Sequence, residues 1–136
     1  MQRVIIAAVI IVGALVVAWL AQRRKPAPPV RTGDQVPDQL DRHDFDGPET
    51  EWLVAVFTDA NCRSCAKAID VASALESKAV SVQTVELQEV PELHQRYAID
   101  SVPTTCVADA EGVVRAAFLG PPRAADLWAA VADLRE

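Results

Sequence analysis

Cys62 and Cys65 stand with two residues between them within Phe57-Thr58-Asp59-Ala60-Asn61-Cys62-Arg63-Ser64-Cys65-Ala66-Lys67. Two thiols at that spacing can close a disulfide, exchange it with another thiol, or supply half of a metal site. The residues around them bear on which. Before the pair, Trp52-Leu53-Val54-Ala55-Val56-Phe57 is an apolar run without period-2 alternation, the pattern of a strand covered on both faces. After it, Cys65, Ala68, Ile69, Ala72 and Leu75 recur at three- and four-residue spacing, which predicts a helix from about Cys62 to Glu76 with one apolar face. Cys62 is then expected at the helix N-terminus and Cys65 one turn deeper, facing the core. Free amides and the helix dipole favour negative charge at that end, and the thiolate is the reactive form of cysteine. Arg63 and Lys67 add positive charge nearby. Cys62 is the expected nucleophile, with Arg63 stabilising its thiolate, and Cys65 is the resolving partner that attacks a mixed disulfide. Two ordinary buried cysteines, or half of a metal site, are the competing readings.

Other residues offer less chemistry. Cys106 lies inside an apolar strand pattern and reads as a small buried side chain. His43 and His94 read as surface or loop residues. No metal site is expected, because structural zinc needs four convergent ligands and the sequence has no second Cys-x-x-Cys. Trp52 and Trp128 read as core or core-edge residues. There is no Gly-rich phosphate loop, Ser-His-Asp arrangement or internal repeat. From residue 26 on, nine basic residues face nineteen acidic ones, a net charge of −10. A domain of that sign has no electrostatic footprint for nucleic acid.

The N-terminal part differs in kind. Residues 4–21, Val4 through Ala21, are 18 consecutive residues without a charge, about 27 Å of helix at 1.5 Å per residue, enough to cross a hydrocarbon core. Trp19 suits the interface, and Trp19-Leu20-Ala21 is a poor cleavage site, so residues 1–21 are expected to be a retained transmembrane helix. Arg3 precedes the span, and Arg23, Arg24, Lys25 and Arg31 follow it. The positive-inside rule favours the C-terminal domain on the cytoplasmic face by a small margin, and the extracytoplasmic placement stays open. Residues 22–35, with Pro26, Pro28 and Pro29, read as an extended linker.

Residues 36–136 form the expected soluble domain. Val36 to Leu40 suggests a short edge strand. A buried strand, the Cys62 helix, a strand over Val80 to Leu87, a helix from Pro91 to about Tyr97 and a strand over Thr104 to Ala108 follow. Asp109-Ala110-Glu111-Gly112 predicts a hairpin turn with Gly112 in the left-handed position, leading to a strand over Val113 to Leu119. Ala124, Leu127, Val131 and Leu134 mark a terminal helix. This order implies a three-layer α/β/α sandwich around a mixed sheet.

Cys62-Arg63-Ser64-Cys65 after a buried strand, Tyr97-Ala98-Ile99-Asp100-Ser101-Val102-Pro103-Thr104, and the Gly112 turn leading to Phe118-Leu119-Gly120 together resemble the thioredoxin family over residues 36–134. The resemblance implies a cis bond before Pro103, with that proline packed against the cysteine pair. It implies that the backbone of Val102 pairs with an extended substrate segment. It also implies disulfide exchange with protein or small-molecule thiols, by a monomer, without a dissociable cofactor. Two departures stand out. Asn61-Cys62-Arg63-Ser64-Cys65 replaces the family's Trp-Cys-Gly-Pro-Cys, and Val56 occupies the place of the buried acid that precedes the nucleophile by six residues. They motivate an alternative, a non-catalytic binding module that holds an extended partner segment beside Pro103.

Overall fold

The computed structural model describes residues 1–23 and 36–136. The expected linker over residues 22–35 thus lies, from residue 24 on, outside the described residues. The first element, α1 (Gln2–Arg23), is a helix of 22 residues, about 33 Å long. The stretch Gln2–Trp19 within it is apolar enough to cross a membrane, and its large apolar side chains are exposed.

The remaining elements follow the expected order. They are a 3-10 turn (Arg42–Asp44), β1 (Trp52–Thr58), α2 (Cys65–Ser73), β2 (Val80–Glu86), α3 (Pro91–Arg96), β3 (Thr104–Ala108), β4 (Val114–Leu119) and α4 (Ala124–Leu134). The sheet order is β2-β1-β3-β4, with β1 parallel to β2 and antiparallel to β3, and β3 antiparallel to β4. The central strands β1 and β3 are buried at every position, which is why β1 reads as a continuous apolar run. Alternate residues of β1 serve opposite faces. Leu53, Ala55 and Phe57 join Leu93 of α3, Leu40, Phe45 and Cys106 on one side. Val54 and Val56 meet Ala68 and Ala72 of α2 and Leu127 and Val131 of α4 on the other. The result is the three-layer α/β/α sandwich with a mixed sheet.

Three expectations are corrected. The edge strand over Val36 to Leu40 is only an isolated bridge between Gln39 and Val113, flanked by hydrogen bonds from Leu40 N–H to the Gly112 carbonyl and from Val114 N–H to the Asp38 carbonyl. The Pro37 ring and the immediate 3-10 turn leave no room for a longer ladder. His94 is no surface residue. It is 5% exposed, its Nε2 lies 2.9 Å from the Val85 carbonyl, and its ring meets Phe57 edge-on. A ring nitrogen with a backbone partner removes the main cost of burying the imidazole. The third correction, the start of α2, belongs to the site.

Arg42 is another polar side chain of the interior. Its Nη1 donates to the Asp109 carbonyl at 2.8 Å and its Nη2 to the carbonyls of Gly47 and Thr50 at 3.1 and 3.0 Å. Burial lowers its pKa, while the guanidinium satisfies three carbonyls from two loops at once. Asp109 in turn accepts from the amides of Glu111 and Val113 and from Arg115 Nε, closing the β3–β4 turn. On the α3 side, Asp44 accepts from Arg96 and from the Tyr97 hydroxyl, fastening the 3-10 turn to the end of α3.

Candidate active site

β1 ends at Thr58, and the chain turns before α2 begins. The Asp59 carboxylate accepts from the Asn61 amide at 2.8 Å, and the Cys62 amide donates to the Asp59 carbonyl at 3.0 Å. These bonds define a turn over residues 59–62 in which Asp59 satisfies its own backbone. The helix therefore starts at Cys65, not at Cys62, and Cys62 stands in the turn ahead of it. At the far end α2 stops at Ser73, short of Glu76.

Gln88, in the turn after the neighbouring parallel strand β2, braces this segment from the side. Its Oε1 accepts from the Ala60 amide at 3.0 Å, and its Nε2 donates to Asp59 Oδ1, also at 3.0 Å. The Asn61 amide first, and the Gln88 amide second, hold the Asp59 carboxyl below its ordinary value. Nothing in the sequence signals Gln88, a lone polar residue 28 positions from the loop that it holds.

Cys62 and Cys65 are joined as a disulfide, with their Cα atoms 5.4 Å apart, inside the range that a bridge spans without moving backbone. The two sulfurs differ in access. Cys65 is 3% exposed, as expected for the core face of α2, while Cys62 is partly exposed. Cys62 Sγ also lies 3.6 Å from Ser64 Oγ.

Val102, Cys62 and Arg63 share one shallow cleft of about 460 Å³, whose other walls are Asp59, Asn61 and Ser64. Arg63 is exposed there and Val102 partly so. The Val102–Pro103 bond is cis, as the resemblance implied. Pro103 is wholly buried, and its carbonyl accepts from the Gly120 amide at 2.9 Å, which ties the proline segment to the end of β4. The structure thus assembles in one place three of the five residues singled out from the sequence, with Cys65 and Pro103 buried. His43 makes a surface contact with Asp41, and among the described residues no group of three or more potential ligands could hold a metal. Cys106 is wholly buried, and burial pushes its thiol up to about 12, which makes it inert as a nucleophile at neutral pH.

A mixed sheet of this order, flanked by helices on both faces, with a cysteine pair after its first strand and a cis proline before its third, defines the thioredoxin fold. Solved structures agree. The germline-specific thioredoxin Deadhead from Drosophila melanogaster superposes with a TM-score of 0.57 at 21% identity, over 68% of this chain and 89% of that one. Oxidised mitochondrial thioredoxin 3 from Saccharomyces cerevisiae gives 0.54 at 17% identity, over 63% and 81%. StoA from Bacillus subtilis gives 0.50 at 21% identity, over 60% and 82%. No family model and no curated protein matches the sequence.

Proposed function

We propose that the protein is a thiol-disulfide oxidoreductase tethered to a membrane by residues 1–21, with the domain over residues 36–136 doing the chemistry on protein or small-molecule thiols and disulfides. The observation that carries this reading is the asymmetric disulfide, an accessible Cys62 in a cleft shared with Val102 and a buried Cys65 behind it. In the reducing direction, the Cys62 thiolate attacks one sulfur of a substrate disulfide. The Cys62–substrate bond forms as the substrate S–S bond breaks, and the other substrate sulfur leaves as a thiolate. Cys65, its proton released to solvent, then attacks Cys62 Sγ, and the second substrate thiolate departs. The substrate gains two electrons and the pair loses two, and in the oxidising direction the same steps run backward. Arg63 supports the Cys62 thiolate by charge. The backbone of Val102, held by the cis bond to Pro103, receives an extended substrate segment. The chain acts as a monomer, uses no dissociable cofactor, and places its domain on the cytoplasmic face.

The test is the redox equilibrium of the full chain in detergent, titrated against glutathione buffers, with trapped thiols assigned by peptide mass spectrometry. A reversible two-electron transition confined to Cys62 and Cys65 is expected. Its potential tells whether the pair mainly reduces or oxidises. Failure to form that disulfide in any buffer rejects the reading. A binding module, favoured by wholly buried Val56 where thioredoxin itself carries an acid, then takes its place. In that case a chain with both Cys62 and Cys65 replaced by serine keeps its partner.

A further inference from the structure

We infer that Ser64 is the hydrogen-bond donor that stabilises the Cys62 thiolate. The inference rests on the oxidoreductase reading for its meaning, but its observations are independent of it. Ser64 occupies the position immediately before α2, where a serine ordinarily turns its hydroxyl toward an amide of the first helical turn. Here it makes no such capping bond, and its backbone is already helical, at φ −77° and ψ −13°. The hydroxyl instead lies 3.6 Å from Cys62 Sγ, within hydrogen-bonding reach of a sulfur. In the disulfide that contact is weak, because a bridged sulfur is a poor acceptor. Reduction changes the acceptor. A thiolate carries full charge, and a hydrogen bond to a charged group is roughly twice as strong as one between neutral groups.

The surroundings hold the turn that carries Cys62 without help from the disulfide. The turn over residues 59–62 is held by the Asn61–Asp59 and Gln88–Asp59 bonds and by the Ala60–Gln88 bond, none of which involves the disulfide. The first two of these bonds both fall on Oδ1 of Asp59, the one carboxylate that lines the cleft, and orient it toward its own loop and Gln88. By stabilising the dithiol form alone, the Ser64 hydroxyl makes the pair more oxidising than it would otherwise be.

The test reads Cys62 by the pH dependence of its alkylation. The full chain in detergent is reduced with dithiothreitol, freed of reductant and pulsed with iodoacetamide, and modification at Cys62 is quantified by peptide mass spectrometry. Ser64→Ala is expected to raise the pH midpoint by about half a unit to one unit, a loss of roughly three- to tenfold in rate near neutral pH. Ser64→Thr, which keeps the hydroxyl, is expected to restore most of it. An unchanged midpoint in Ser64→Ala overturns the inference, and so does a Ser64→Thr chain shifted as far as Ser64→Ala, since size and not the hydroxyl would then matter. This measurement needs only a free thiol at Cys62. It therefore succeeds or fails apart from the redox titration, which judges the oxidoreductase reading itself.

Discussion

Two cysteines of this chain sit behind the protein surface, and they are buried to different ends. Cys65 is half of the disulfide, whereas Cys106 lies in the middle of β3 with no polar partner to favour its thiolate. Burial raises the Cys106 thiol from an ordinary value of 9.0 to about 12, so the folded chain keeps it neutral at pH values where the unfolded chain ionises it. Between those values the unfolded state binds fewer protons than the folded one, and stability falls as pH rises. The contribution is intact below about pH 9 and declines toward pH 12, by at most about 1.4 kcal/mol per pH unit. Urea unfolding of the full chain at pH 8 and pH 10 is expected to show about 1 kcal/mol more alkaline loss in the natural chain than in Cys106→Ala. Equal losses in the two chains would rule out a buried neutral thiol. The sequence made Cys106 legible as a core residue because its neighbours are apolar. It did not reveal His94, whose burial depends on a carbonyl on another element, nor Gln88.

At the scale of elements, the β3–β4 turn bears the tightest demand on residue type. Gly112 has φ +83°, and a Cβ added there would fall 1.9 Å from the Leu40 carbonyl oxygen. The close approach exists because Leu40 N–H donates to the Gly112 carbonyl, so the segment before the 3-10 turn lies directly on the hairpin. Gly112→Ala is therefore expected to cost about 2–4 kcal/mol, from the left-handed conformation and from displacement of Leu40 together. A lowered urea midpoint at unchanged slope would confirm this, and a cost below about 1 kcal/mol would mean that the two segments separate easily. The elements themselves were largely legible, because continuous apolar runs and three-four spacing report burial directly. Their ends were not. α2 starts three residues late because the Asp59 side chain competes for the backbone of the loop, a choice between two local hydrogen-bonding solutions that spacing does not settle. Residues 36–40 fall short of a strand for a similar reason, being claimed by one bridge and then by the 3-10 turn that Arg42 fastens.

At the scale of the whole molecule, the proposed reaction and the proposed anchor meet in one measurement. A membrane-impermeant maleimide applied to reduced vesicles labels Cys62 only from the side that holds the domain, since Cys65 and Cys106 are buried. Inverted vesicles are expected to label and right-side-out vesicles to stay unlabelled, in keeping with Arg23, Arg24, Lys25 and Arg31 after the span. The reverse pattern would place the domain outside, and labelling released in the soluble fraction would show that α1 does not hold the chain. The cleft and the fold that positions it were legible because two separate segments carried them, one around Cys62 and one around Pro103. The expectation for sidedness turns on a few charges beyond an apolar helix that is itself indifferent to direction.

The contact between Leu40 and Gly112 also fixes where the start of the domain meets the sheet. Cys62 follows the end of β1 at which Phe57 pairs with Thr104, whereas Leu40 meets the hairpin beyond Ala108, at the other end of β3. The five residues of β3, roughly 15 Å of extended chain, separate the two. After residue 36 the chain is fastened to the hairpin by the bonds from Leu40 to Gly112 and from Val114 to Asp38, and then by the Arg42 guanidinium. The hairpin thus holds the start of the domain at one end of β3, and the cysteine pair lies at the other.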